Sequence, residues 1–323
     1  MCDTSPLIPA EDEGYVGKET GMSRTGKPLT LDVFGHRKGA GEKIVVLTAY
    51  DLSSATIAAD GGVDAILVGD SLGNVVLGYE NTLPVTIGDM ERHCAAVVRA
   101  RPQVPVIADL PYGSFHVSPQ ETVRGAIGLV KRAGVNAVKL EGGRVRAEVI
   151  AALLAAEIPV MGHLGLTPQS VNRMGGFKVQ GKGSEAAAQL EEEAQFLAQA
   201  GCFALVLECV PQELAARISS RLSIPTIGIG AGPGCDGQVL VYHDLLGLYE
   251  GFRPRFVKRY AELGAAAREA VGRYAEEVRS GQFPGPEHVF GDPAEKSGPS
   301  SGSDRKSPGP DGAYLGRVDE AEE

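Results

Sequence analysis

No stretch of the 323-residue chain approaches the roughly 18 consecutive apolar residues that a membrane span requires, so no membrane partner is expected. There is also no Lys/Arg-rich run of the kind that tracks a phosphate backbone. With a formal charge of -10, nucleic acid is not an expected partner. Cysteine is scarce and odd in number, five residues with no C-x-x-C pair, which fits reduced thiols in a cytoplasm better than a disulfide framework. The first residues carry Asp3, Glu11, Asp12 and Glu13 and lack both an apolar signal segment and an Arg-rich amphipathic helix. These absences leave a cytoplasmic enzyme as the expectation.

What is present is a globular composition, 43% hydrophobic and 22% charged, in a chain long enough to bury a large core. The ends differ from the middle. Residues 291–323 are Gly, Ser, Pro and acids with hardly an apolar side chain, too little to offset the entropy of ordering them, and residues 1–27 are a weaker version of the same. The tail holds eight acids against four bases and the first segment five against three, so the two carry -6 of the net -10. The reading is a disordered extension at 1–27, a catalytic domain at 28–290 and a disordered acidic tail at 291–323.

Within 28–290, apolar β-branched runs without a polar face alternate with helical patterns. The runs are 44–48, 65–69, 105–108, 137–140, 159–162, 204–207, 225–230 and a poorer one at 239–242. Strands apolar on both sides belong to a parallel sheet covered on both faces. The intervening helices carry start and stop signals: Ser118-Pro119-Gln120-Glu121 is a capping box with Pro at the first helical position, ended by Gly134, and Ser184 opens a stripe that stops at Gly201. Eight βα units predict a closed (β/α)8 TIM barrel, with an open doubly wound sheet as the alternative.

In such a barrel the active site lies at the carboxyl ends of the strands, so the informative residues are polar ones that terminate an apolar run. Five successive strands end this way, at Asp70-Ser71, Asp109, Lys139 with Glu141, His163 and Glu208. Helix capping explains any one of them but hardly all five. Asp70 and Asp109 end neighbouring strands, so their carboxylates converge, and two anions repel unless a cation sits between them. With oxygen ligands and no His or Cys cluster, Mg2+ fits best. Lys139 and Glu141 share a strand face: Lys139 offers charge to an anionic substrate and Glu141 ligates the metal or orders its waters, with a lumen salt bridge as the plain alternative. Glu208, across the mouth among apolar neighbours, has the setting of a general base with a raised pKa. His163 between them either positions substrate or is a core histidine bonded to backbone. A metal on one side and a base on the other suit removal of a proton from the carbon next to a chelated carbonyl.

Other motifs fall short. Residues 176–183, GFKVQGKG, almost fit a phosphate loop but lack the hydroxyl residue and a preceding strand, so they read as a mobile loop over the barrel. Residues 228–237, GIGAGPGCDG, fail the dinucleotide pattern and read as turn-forming backbone. His93, Cys94 and Val97 stand at helical spacing as a buried face.

The segments VGDSLGNVVLGYENTLPVTIGDM, IADLPYGS, VKLEGG, MGHLGLTPQSVNRMGGFKVQGK, LVLECVP, IGIGAGPGCDGQVLVYHDLLGL and PRFVKRYAELG together resemble the 3-methyl-2-oxobutanoate hydroxymethyltransferase family over about residues 28–290. The resemblance implies a barrel of the phosphoenolpyruvate/pyruvate-binding type and a homodecamer of two pentamers. It also implies Mg2+-dependent transfer of a hydroxymethyl group from 5,10-methylenetetrahydrofolate to 3-methyl-2-oxobutanoate, giving 2-dehydropantoate in pantothenate biosynthesis. Carried over, it assigns Asp70, Asp109 and Glu141 to the metal, Asp70, Ser71, Asp109 and Lys139 to the substrate, and Glu208 to proton abstraction. The residues alone also admit a Mg2+-dependent lyase or mutase acting on another α-keto acid, or a catalytically silent ring-forming barrel.

Overall fold

The computed structural model describes residues 27–290 apart from Phe177, Glu250 and Phe252. The disorder expected at 291–323 and over nearly all of 1–27 therefore falls outside the described residues. The chain divides into two compact units, one up to Arg268 and one from Glu269. In the second, the Phe283 ring stands edge-on to Tyr274 at 5.5 Å and 5.1 Å from His288.

The first unit is built on eight parallel strands: β1 Ile44–Thr48, β2 Ala65–Val68, β3 Val106–Asp109, β4 Ala137–Glu141, β5 Val160–Gly165, β6 Ala204–Glu208, β7 Thr226–Ile229 and β8 Gly237–Leu240. Each pairs with the next in sequence, and β8 pairs with β1 through Ile44↔Gly237, so the sheet is a closed barrel and not an open one. β8 begins two residues before its expected start. Gly237 is the reason: a Cβ there would stand 2.4 Å from the Ile44 carbonyl oxygen, so only glycine lets the backbones close, and glycine carries no strand signal. Asp236 pins the entry, accepting the Thr226 N–H at 2.8 Å while its own carbonyl takes the Ile44 N–H at 3.0 Å.

The helices follow their local chemistry. Ser118 caps Pro119–Gly128 by accepting the Glu121 N–H at 3.2 Å, although the return bond of a capping box is not made. That helix widens into a π-turn, Leu129–Ala133, and ends as expected at Gly134 with φ +81°. Ser184–Gln199 starts where predicted. Cys94 and Val97 are buried, and His93 Nδ1 lies 2.6 Å from the Tyr50 carbonyl oxygen. The segment 228–237 connects β7 to β8 with positive φ at Gly230 and Gly232, the turn role expected of it.

Two apolar clusters hold the barrel. The larger lies between strands and surrounding helices. The smaller fills the lumen with inward side chains such as Ile44, Val46, Leu67, Ile107, Ala137, Met161, Val206 and Ile227 and is plugged by Val33 and Phe34 of the helix Asp32–Ala40. No helix among the described residues is long and apolar enough to cross a membrane.

Candidate active site

Alternation along a strand carries every second side chain into the lumen, so the residue two places beyond an apolar lumen residue points into the mouth. Ile107 is followed by Asp109, Ala137 by Lys139 and then Glu141, Met161 by His163, and Val206 by Glu208. Register confirms the neighbours: Asp109 stands beside Lys139, and Glu141 beside His163. Asp70 arrives differently. It lies two residues past the end of β2, in the turn that starts the short helix Leu72–Val75, and its backbone N–H points at Asp109 Oδ2 at 3.4 Å. The predicted residues Asp70, Asp109, Lys139, Glu141 and His163 are all buried, and the Glu208 side chain is 15% exposed.

These groups form one connected set. Lys139 Nζ lies 2.7 Å from Asp109 Oδ1 and 3.3 Å from His163 Nδ1. Because an ammonium only donates, His163 Nδ1 accepts, and the proton of the neutral ring sits on Nε2. That Nε2 faces Glu208 Oε2 at 3.3 Å. On the other side, His163 Nδ1 is 3.6 Å from Glu141 Oε1. Ser71, at the lip of the mouth, shares a 2.8 Å hydrogen bond with the hydroxyl of buried Tyr50.

Burial dominates the electrostatics. It raises the pKa of Asp70 and Asp109, against which Lys139 pulls, and for Asp109 the neighbouring Asp70 charge adds to the rise. Glu141 goes well above its ordinary value through burial and then the Asp70 charge. Burial opposes the Lys139 charge, but Asp109, Glu141 and Asp70 outweigh it and hold the ammonium protonated. His163 is pushed far down by burial and by Lys139, so its ring is neutral. Glu208 is raised to about 7 by burial, with Lys139 opposing.

Four acids thus surround one ammonium, an arrangement short of positive charge. Gln169 Oε1 and His163 Nε2 are buried without a well-aligned hydrogen bond among the described residues, and Asp109 Oδ1 has only the Lys139 ammonium. Native interiors leave few such groups, so the mouth is built to receive something. Among the described residues no three His, Cys, Asp or Glu side chains form a ligand cage. Two neighbouring carboxylates, Asp70 and Asp109, are a donor set that suits a hard cation retaining its waters, and Mg2+ fits it. Glu141 is held instead by the Gln169 N–H at 3.1 Å.

Sequence reasoning missed Gln169. It sits in a 3-10 turn after β5, donates through Nε2 to Asp70 Oδ2 and to the Leu110 carbonyl, both at 2.9 Å, and so ties three strand ends together. Its only sequence signal is a Pro-Gln-Ser turn like many others. Tyr50, which orients Ser71, was also missed, hidden as one more apolar residue after β1. Cys209, directly after Glu208, takes a left-handed φ of +49°. Its N–H donates to the Ile229 carbonyl at 2.8 Å, and its own carbonyl accepts the Gln180 N–H at 3.0 Å, fastening the glycine-rich loop to the end of β6.

A closed parallel barrel with its ionisable residues gathered at the carboxyl end defines a TIM-barrel enzyme class, and the solved structures agree on the fold. The structure of 2,3-dimethylmalate lyase, described as a PEP mutase/isocitrate lyase superfamily member, superposes with a TM-score of 0.53 at 18% identity, covering 79% of this chain and 86% of that one. At the level of sequence, a profile described as ketopantoate hydroxymethyltransferase matches residues 28–286. The 3-methyl-2-oxobutanoate hydroxymethyltransferase of Syntrophomonas wolfei is 54% identical over 262 residues, 81% of this chain and 95% of its own. That of Syntrophus aciditrophicus is 55% identical over 265 residues, 82% and 97%. The chain belongs to the ketopantoate hydroxymethyltransferase family.

Proposed function

We propose that this mouth transfers a hydroxymethyl group from 5,10-methylenetetrahydrofolate to 3-methyl-2-oxobutanoate, with water, giving 2-dehydropantoate and tetrahydrofolate in pantothenate biosynthesis. One observation carries the reading: Glu208, with a pKa of about 7, stands across the barrel from the Asp70 and Asp109 pair with neutral His163 between. A base thus faces a cation-seeking pole from the opposite side of the barrel mouth.

Asp70 and Asp109 would hold Mg2+, which would supply Lewis-acid polarisation of the keto oxygen. Lys139, paired with Asp109 at 2.7 Å, favours its ionised form against burial and the Asp70 charge. Glu141, locked by the Gln169 N–H, orders the waters of that pole. Ser71, oriented by Tyr50, presents its hydroxyl to the carboxylate of the keto acid. Glu208 takes the C3 proton, its pKa near neutrality making it an effective base there. The electron pair left on C3 forms the new bond to the one-carbon unit, both bonds from that carbon to the two folate nitrogens break, water supplies the hydroxyl group, and the C3 proton and the second water proton end on the two nitrogens of tetrahydrofolate. The neutral His163 ring, its Nε2 3.3 Å from Glu208 Oε2, stands beside that carboxylate and limits where it can turn. The loop Asn172 to Lys182 contains neither an acid nor a cysteine, so the nucleophile that a lyase or mutase would use there is missing.

Two assays test this. Tetrahydrofolate formation should require 3-methyl-2-oxobutanoate and stop on chelation with EDTA, returning with Mg2+. In D2O with Mg2+ but no folate, NMR should show exchange of the C3 proton. Absence of both activities in the Mg2+-loaded enzyme would overturn the reading. The homodecamer implied by the resemblance belongs to the same proposal and is checked by mass in solution.

A further inference from the structure

Asp70 and Asp109 reach the mouth by different routes, and only one of them is fixed by a strand. Asp109 ends β3 in register with Lys139, whereas Asp70 lies past the end of β2, where strand alternation no longer sets the direction of its side chain. Two carboxylates share a hard cation only if both hold their direction. Gln169 Nε2 holds Asp70 Oδ2 at 2.9 Å, which restrains one of its two oxygens.

The chain after that turn doubles back over it. Residues 76–86 link the short helix Leu72–Val75 to the helix Ile87–Arg99, which Thr86 caps by accepting the Asp89 N–H at 3.1 Å. This strap is tied to the turn by the Tyr79 N–H, which donates to the Gly73 carbonyl at 2.7 Å, and by Asn74 Nδ2, which donates to the Tyr79 carbonyl at 3.0 Å. Gly73 makes the close approach possible: a Cβ there would stand 2.7 Å from Val85 Cγ2 and 3.5 Å from Thr82 Cα. The Gly73 N–H donates in turn to the Asp70 carbonyl at 2.9 Å, so the strap and Asp70 belong to one small folded unit. Along 76–86 only Thr82 and Val85 are buried. Val85 is an apolar anchor; Thr82, 5% exposed, is a polar one. Its Oγ1 is sealed from solvent and makes no well-aligned hydrogen bond among the described residues, but it lies close enough to Asp70 to join Lys139 and Gln169 in favouring the ionised carboxylate against burial. Buried hydroxyls are normally paired, and a Val side chain has the same shape, so packing alone gives no reason for the hydroxyl.

We infer that Thr82 is a positioning residue, whose hydroxyl, carried in by the strap, holds the Asp70 carboxylate together with Gln169 so that Asp70 and Asp109 share one hard cation. The inference rests on the function proposed above, in which that pair holds Mg2+. A carboxylate already restrained by two donors loses little further freedom when the ion arrives, and each donor also favours its charged form.

The test compares Thr82→Val, which removes the hydroxyl and keeps the shape, with Thr82→Ser, which keeps the hydroxyl and removes the methyl. Mn2+ serves as the probe, its binding read from the free-ion signal in electron paramagnetic resonance with neither keto acid nor folate present. Thr82→Val should weaken Mn2+ binding about tenfold, the lower range for loss of a group that orients a metal ligand, and the Mg2+ needed for half-maximal C3 exchange should rise by the same factor. Thr82→Ser should bind Mn2+ about as tightly as the wild type. A purely structural role predicts the reverse order, with Thr82→Ser, which opens a methyl-sized void, melting lower and Thr82→Val keeping its affinity. Should Thr82→Val not fold, Thr82→Ala against Thr82→Ser repeats the hydroxyl contrast in a smaller side chain. If the wild type binds Mn2+ and the variant without the hydroxyl binds it as tightly, or if Thr82→Ser loses as much as that variant, the inference falls and the proposed function stands. If the wild type neither binds Mn2+ nor shows C3 exchange with Mg2+, the function itself has failed.

Discussion

The two ends of the barrel lumen are made by the same strands and do opposite things. At the foot, Ile107, Ala137, Met161 and Val206 interdigitate under the Val33 and Phe34 plug, and the buried polar groups beside them are paired, Asp64 with Arg37 and Thr226 with Asp236. Two residues further along the same strands, Asp109, Lys139 and His163 are buried and Glu208 largely so, with ionisable groups that cost free energy to desolvate. Stability is thus concentrated at one end and chemistry at the other, so the barrel tolerates an unfavourable mouth because its foot is well packed.

The sharpest way to test that division is to remove the base. Glu208→Gln should lower turnover and C3 exchange about 10²- to 10⁴-fold, the usual worth of a general base. Its effect on melting should have the opposite sign at alkaline pH. Burial raises Glu208 from 4.5 to about 7, so the folded protein binds that proton more readily than the unfolded chain. Ionising it costs stability above about pH 7, and the cost disappears below about pH 4.5. At pH 8 the variant should melt no lower than the wild type. A large loss of stability would show that mouth and foot are not separable.

The converse change is Phe34→Ala at the foot. Phe34 is 1% exposed and stands edge-on to Phe203 at 5.3 Å, so its loss should destabilise by about 3–5 kcal/mol in denaturant titration while kcat per folded molecule is retained. Gln169→Leu tests the mouth's scaffolding. It removes the amide that clamps Asp70 and should weaken Mg2+ activation of exchange about 10- to 100-fold, measured by titrating the metal, without abolishing the maximal rate. The smallest effect is in the pH profile. Exchange should fall below about pH 7, tenfold per unit, as Glu208 protonates, and Glu208→Gln should flatten that limb.

How much of this the sequence revealed depended on parity. Asp109, Lys139, Glu141, His163 and Glu208 were legible because each terminates an apolar strand in phase with the lumen residues before it. Asp70 is out of phase but was found because it directly follows the apolar run 65–69. Gln169 was invisible because its meaning lies in contacts with Asp70 and Leu110, 99 and 59 residues away in sequence. The start of β8 was misplaced for a similar reason: Gly237 is in the strand because of the Ile44 carbonyl it meets, not because of any propensity of its own.

Cys209 holds a further lesson for anyone evolving this enzyme. A non-glycine residue in a left-handed conformation stores about 1–3 kcal/mol, here placed directly after Glu208 and under the bond from Gln180. Substituting glycine is the obvious stabilising change, and selection for thermal endurance alone would find it. The relaxed hinge would also let Glu208 and the loop above it wander, trading precision at the base for robustness of the fold. Directed evolution that screens only for heat resistance should accumulate changes at position 209 in slow variants, while screens that demand turnover should leave the strained residue alone.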